Sequence, residues 1–414
     1  MSFQKTVLSN GLRILTESSP YGLSVSAGIF IHHGSRDDPI HLGGAAHLLE
    51  HMVFKGTRLR KSTEIVAQIE RLGGDINAYT TQELICLYSL VLEKDLLRAL
   101  DVLWDLSQNA LLKSEDLSQE KKVILQEIDM SSDLLEEDIF DQYFQETFKG
   151  HPLGLPVLGT PESMRRISRT HLRKIYNSSF VTSQMCVVVV GAVNHNQVVE
   201  FFAKKTGRQL KKTKKRTRKK PKAFQKWIHK DSEQAHVLIA WPTLSLKNRN
   251  QMAAYLTHVY LGGGMTSRLY QQAREKHALA YSIYSYLHLL SDCGLFMVYA
   301  GVHESRIFKM VDVLRKEVER LLEKGISQRQ LNLLKKQLKG QYLLSSEDVE
   351  NRMNVIGQTE LLGKPYKSLA QKMQEIEGLS QEDIQLYLEK YFHVTDWGAL
   401  VMGSFQKEKT IKFF

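Results

Sequence analysis

The sequence predicts an α+β protein of two homologous domains, each a largely antiparallel sheet with helices packed on one face. Strand-like apolar runs alternate with segments of helical period along the chain, and the same order of signals occurs twice, the mark of an internal duplication. A lysine-rich stretch, Lys211 to Lys222, falls between the two occurrences. At 414 residues the chain exceeds a comfortable single core, in keeping with two domains. The predicted boundaries are 1–205 for an N-terminal domain, 206–225 for a basic linker and 226–414 for a C-terminal domain.

The elements follow in order. MSFQKTVLSNGLRIL reads as a strand, a turn at Asn10-Gly11 and another strand. A strand over Leu23 to His32 leads to a short helix around Gly44 to Phe54. A second helix, Ser62 to Leu72, stops at Gly73-Gly74. Two strands cross Ile76 to Leu92, and Leu96, Leu97, Leu100, Leu103 and Trp104 then repeat at helical spacing. A long polar-faced helical region runs from Leu117 to about Phe148. A helix near Glu162 to Tyr176 and a buried strand from Met185 to Val190 close this half. From His236 the order recurs: the strand HVLIAWPTL, a helix over Gln251 to Leu261, strands from Tyr281 to Val302, and an amphipathic helix over Ile307 to Leu322. A long helical stretch from Gln328, a helix after Ser380 and the strand GALVMG complete it.

Composition narrows the class of protein. With 43% hydrophobic and 24% charged residues and only 8 prolines, the chain is globular and not fibrous or disordered. No apolar run reaches the length of about 18 to 20 residues that spans a bilayer, and the N-terminus lacks the pattern of a secretory signal. Three widely separated cysteines, Cys86, Cys186 and Cys293, exclude an even disulfide framework and fit a reducing, cytoplasmic setting. The formal charge is +11, but nine of the twelve residues from Lys211 to Lys222 are Lys or Arg, so the remainder carries about +2. That run lacks interleaved aromatics, which argues for a solvated connector and against a nucleic-acid partner.

The chemistry concentrates at His47-Leu48-Leu49-Glu50-His51. On a helix, His47 and His51 stand one turn apart on the same face, and Glu50 lies about 60° round from His47, while Leu48 and Leu49 project elsewhere. Two imidazoles and a carboxylate, with one position left for water, form the ligand set of a catalytic zinc and not a structural one. The segment QEKKVILQEIDM offers Glu127, and Glu120, seven residues earlier, faces the same way. One of these can bind metal while the other hydrogen-bonds a ligating imidazole. By position alone Glu136, Glu137 and Asp138 compete with Glu127.

The stretch GSRDDPIHLGGAAHLLEHMVFKGT resembles the zinc-helix region of the pitrilysin and insulinase family of peptidases, whose H-x-x-E-H order inverts that of the H-E-x-x-H enzymes. LGGDINAYTTQE is similar to the family's substrate-edge strand, VILQEID to the segment with the third ligand, and HPLGLPVLGT to the loop that follows. LGGGMTSRLYQQAREKHALAYSIYS resembles the segment that carries a paired arginine and tyrosine. The likeness spans almost the whole chain and is closest to the half-size branch that includes mitochondrial processing peptidase and its bacterial relatives.

The resemblance implies His47, His51 and Glu127 as ligands of one Zn2+ per chain, Glu50 as general base and Glu120 as the outer-shell neighbour. It further implies Arg274 and Tyr281 as a pair that assists catalysis, Asn77 and Ala78 as peptide-binding positions, and a C-terminal repeat without the metal motif. The expected activity is metal-assisted hydrolysis of extended or unfolded peptides. An acidic stretch, Asp133, Glu136, Glu137, Asp138 and Asp141, adds the expectation that these are basic ones. The expected assembly is a homodimer; alternatives are a heterodimer with an inactive homologue and a non-catalytic assembly subunit. Two departures from the family pattern stand out: Asp38 where Glu is commoner, and Ala278 where Gly commonly precedes Leu279.

Overall fold

A computed structural model describes residues 2–19, 22–205, 207–208, 216–393, 395–405 and 411. Residues 209–215, which hold much of the basic linker, lie outside the described residues. The chain forms two compact units: one from Met1–Asp129, Leu155–Thr217 and Leu344–Ser368, the other from Met130–Gly154, Arg218–Leu343 and Leu369–Phe414. The two repeats are proposed to extend over 1–205 and 226–414. The compact units cross that division, since each takes in one segment from beyond the basic stretch.

The first unit is built on six strands, β1 (Ser2–Val7), β2 (Arg13–Ser18), β3 (Ser24–Ile31), β4 (Asp75–Thr80), β5 (Ile85–Leu92) and β6 (Met185–Gly191). Their order is β1-β2-β6-β3-β5-β4, antiparallel except for the β2–β6 pair, so β4 forms an edge. One face carries a layer of helices: α1 (Ala45–Val53), α2 (Ser62–Glu70), α3 (Leu96–Asn109), α4 (Ser114–Asp133), and, beyond α5 (Leu135–Thr147), α6 (Pro161–Arg166), α7 (Arg169–Ser179) and α8 (His195–Ala203). Val187 and Val189 of β6 point into this layer, whereas Val188 and Val190 point to the other side. A run of valines buried on both faces needs cover twice. The second cover comes from far along the chain, where Met353, Ile356 and Leu361 pack on Leu15, Phe30, Cys186 and Val188.

The second unit repeats the plan with β7 (Gln225–His229), β8 (Ala235–Thr243), β9 (Ala280–Leu289), β10 (Gly294–Val302) and β11 (Gly398–Gly403), ordered β7-β11-β8-β10-β9. Its helix layer comprises α9 (Gln251–Gly262), α10 (Ile307–Lys324), α11 (Gln328–Ser345), then, beyond α12 (Val349–Leu361), α13 (Leu369–Gly378) and α14 (Gln381–Tyr391). Here α5 covers the opposite face: Ile139, Tyr143 and Phe144 pack on Leu238, Met297 and Leu400. The long helical region predicted from Leu117 to Phe148 therefore divides, with Leu134 leaving helical geometry at φ −88°, ψ 86°. The helix predicted near Glu162 to Tyr176 also divides, because the Ser168 hydroxyl accepts the His171 amide and starts α7 afresh.

Candidate active site

The zinc helix of the sequence motif is α1, and its inner face explains its position. Leu48, Leu49, Met52 and Val53 are fully buried in the core, which turns His47, Glu50 and His51 to the partly open side. Its first turn is held from outside: Asp38 Oδ2 accepts the Ala46 amide at 3.1 Å, satisfying one of the four orphan donors of the helix start. The N-cap, Gly44, has φ +88°, and a Cβ there would meet the Leu158 carbonyl oxygen at 2.5 Å. The loop after α5 thus presses directly on the entry to the motif. Ser163 fastens the same point by donating to the Gly43 carbonyl at 2.6 Å.

His47, His51 and Glu127 converge. Each offers one donor atom, and the three atoms lie within 4.8 Å of one another, the only such group among the described residues. His47 Nε2 is 4.0 Å from Glu127 Oε2 and His51 Nε2 is 3.8 Å from Glu127 Oε1. Tetrahedral zinc with bonds of about 2.1 Å sets its donors roughly 3.4 Å apart, so small side-chain movements suffice and the donor set fits this metal. Glu120 faces the same way from two turns earlier on α4. Its carboxylate can only accept, so His51 Nδ1–H donates to it at 3.1 Å and the Nε2 lone pair is left toward Glu127. Lys55 Nζ holds the other Glu120 oxygen at 2.7 Å. Burial, with a smaller contribution from the charge of His51, lowers His47 to about 4, so it is neutral and able to ligate at physiological pH.

Glu50 lies beside the triad. Burial pushes its carboxyl up, against the pull of a hydrogen bond from Thr80 and of the His51 charge; the neighbouring Glu127 pushes the same way as burial. Thr80 Oγ1 donates to Oε2 at 2.5 Å, which leaves Oε1 uncommitted to it. Thr80 ends β4, the edge strand that also carries Asn77 and Ala78. Asn77 is exposed and bonds the Ala78 amide through its own side chain at 2.8 Å.

The competing carboxylates are placed elsewhere: Glu136, Glu137 and Asp138 belong to α5 in the second unit, where Glu136 accepts from Tyr284 at 3.1 Å and Asp138 pairs with Lys230 at 3.3 Å. Arg274 and Tyr281 also lie in the second unit and are brought together, the guanidinium 5.7 Å from the Tyr281 ring centre and 5.0 Å from that of Tyr270. Arg274 sits in a π-helical stretch, Tyr270–Lys276. Tyr281 is the extra residue where the β9–β10 register slips between Gly301 and Val302, and it is 75% exposed. Such irregularities re-aim side chains. The helix matching α1 in the second repeat, α9, is buried along most of its length and has no H-x-x-E-H. Sequence reasoning did not find Thr80, Lys55 or the bond from the Ala46 amide to Asp38; only tertiary contact brings Thr80 to Glu50, thirty positions away.

An α+β scaffold that sets an inverted H-x-x-E-H helix against a carboxylate on a second helix defines a zinc metallopeptidase. The family model described as Insulinase (Peptidase family M16) matches residues 13–161, and that described as Peptidase M16 inactive domain matches residues 166–338. An uncharacterized zinc protease of Streptomyces coelicolor is 35% identical over 400 residues, covering 92% of this chain and 85% of its own. One of Bacillus subtilis is 31% identical over 398 residues, covering 92% and 95%. Among solved structures, a protease from Helicobacter pylori superposes with a TM-score of 0.92 at 22% identity, covering 97% of this chain and 99% of its own, which shows a common fold. The chain belongs to peptidase family M16.

Proposed function

We propose that this peptidase is a zinc-dependent endopeptidase of extended or unfolded peptides, with one zinc on His47, His51 and Glu127 and with Glu50 as general base. The observation that carries the reading is the convergence of those three donors beside a buried carboxylate and an open sheet edge. Bound there, zinc supplies Lewis acidity toward water and a scissile carbonyl. Glu50, whose burial favours proton uptake, takes the proton from the attacking water and returns it to the departing amine. Thr80 holds one Glu50 oxygen so that the other faces the proton. Glu120 fixes the His51 tautomer. An extended peptide adds to β4 beside Asn77 and Ala78, where main-chain hydrogen bonds are indifferent to side-chain identity. Arg274 and Tyr281 supply donors to the developing oxyanion. The acidic residues of α5 support a preference for basic peptides.

Glu50→Gln tests this reading on a quenched peptide library with zinc analysis alongside. The expected result is zinc retained and turnover reduced by about 10²- to 10⁴-fold; a variant that hydrolyses at the wild-type rate contradicts it. The likeness to the half-size branch supports a homodimer. Sedimentation of the purified chain checks that, and an inactive chain revived only by a second protein would favour the heterodimer.

A further inference from the structure

We propose that Arg216, at the described end of the basic segment, is a positioning residue that braces the two turns holding Glu50 and the first turn of the zinc helix. The proposal rests on the roles given above to Glu50 and the metal triad. The guanidinium grips Asp37 with both arms, Nε to Oδ1 at 2.9 Å and Nη2 to Oδ2 at 2.7 Å, and reaches Glu83 with Nη1 to Oε1 at 3.2 Å and Nη2 to the backbone oxygen at 2.5 Å. Arg36 joins the cluster, with Nη1 on Glu83 Oε1 at 2.6 Å and Nη2 on the Thr217 carbonyl at 3.1 Å. Among the described residues two guanidiniums thus face two carboxylates. Arg216 is 12% exposed and Glu83 3%, so the contacts are largely out of water, where paired charges interact strongly and an orphaned one is costly.

The cluster joins two turns that lead to the site, Asp37 lying next to Asp38 and Glu83 three residues after Thr80. Asp37 precedes Asp38, which holds the Ala46 amide of α1. Glu83 belongs to the turn after Thr80, whose hydroxyl holds Glu50. The turns are already docked by backbone: Ser35 N donates to Thr81 O and Arg36 N to Gln82 O, both at 3.0 Å. Gly34 packs so closely there that a Cβ would stand 2.5 Å from Gln82 backbone atoms. Burial by itself raises the Asp37 carboxyl, and the hydrogen bonds and charge of Arg216, together with the charge of His33 and the Gly34 amide, leave it below its ordinary value. Arg218, two residues on, is exposed. The basic run is therefore not uniform: one of its cations is built into the site's support.

The test compares Arg216→Gln, Arg216→Lys and the charge-matched control Arg218→Gln in the full chain, with Glu50→Gln as reference. Steady-state hydrolysis of a quenched peptide and hydrogen exchange of the Ser35, Arg36 and Ala46 amides are the readouts. A small displacement of a catalytic group costs up to about 10²-fold, so Arg216→Gln should lower kcat by roughly tenfold or more with KM changed less than about threefold. The three amides should exchange faster while those of β6 stay protected, Arg216→Lys should restore part of both effects, and Arg218→Gln should match wild type. Wild-type kcat with unchanged amide protection in Arg216→Gln overturns the proposal, as does an equal loss in Arg218→Gln. If Arg216→Gln does not fold, Arg216→Lys with wild-type exchange and kcat overturns it too. Undiminished hydrolysis by Glu50→Gln would instead remove the functional reading, and the exchange data would still report on the brace.

Discussion

Glu120 and Glu127 stand seven residues apart on one helix, and their surroundings separate their roles. Glu120 is 5% exposed and committed to His51 and Lys55; the Glu127 side chain is 36% exposed and looks across at both Nε2 atoms. Glu120→Ala removes the acceptor that fixes the His51 ring, and zinc affinity should fall about 10- to 100-fold, read by competition with a chelator. Unchanged affinity would show that His51 is oriented by other means. His47, Glu50 and His51 are legible in the sequence because helical spacing alone aligns them. Glu127 is not, since Glu136, Glu137 and Asp138 compete until the chain's turn at Leu134 sends them to the other unit.

Among elements, those with strong period and clear stops were legible: β3, α1, α2, α3, β6 and β8 lie within a few residues of their predicted bounds. What was hidden depends on partners distant in sequence. The break between α4 and α5 has no glycine or proline to announce it; α5 packs its apolar stripe on a sheet formed mainly by the other half. The end of the Arg274 segment is a second instance. Ala278, noted in the sequence as standing where glycine is common, adopts φ +46°, a left-handed conformation that costs a residue with a Cβ about 1–2 kcal/mol. Part of that returns as chain entropy when glycine is introduced, so Ala278→Gly should stabilise the second unit by roughly 0.5–1 kcal/mol in chemical denaturation. Destabilisation would mean that the methyl group contributes more by packing than its backbone angle costs.

For the molecule as a whole, the duplication was legible and the exchange of covering helices was not. Continuous apolar strands such as MCVVVVG and GLFMVYAGV announce burial on both faces, yet nothing local tells which helix supplies the second cover. The answer is reciprocal: α5 of the first half covers the second sheet and α12 of the latter half covers the first. Cys86 and Cys186 are buried under α12 as free thiols. Among the described residues no helix is long and apolar enough to cross a membrane. The proposed function requires one metal ion, and the residues that would hold it, His47, His51 and Glu127, come from two helices of one unit. Zinc per chain, measured by elemental analysis after exhaustive dialysis of wild type and Glu127→Gln, tests this most directly. The prediction is one equivalent in the wild type and close to none in the variant; a full equivalent in Glu127→Gln, or none in the wild type, would contradict it.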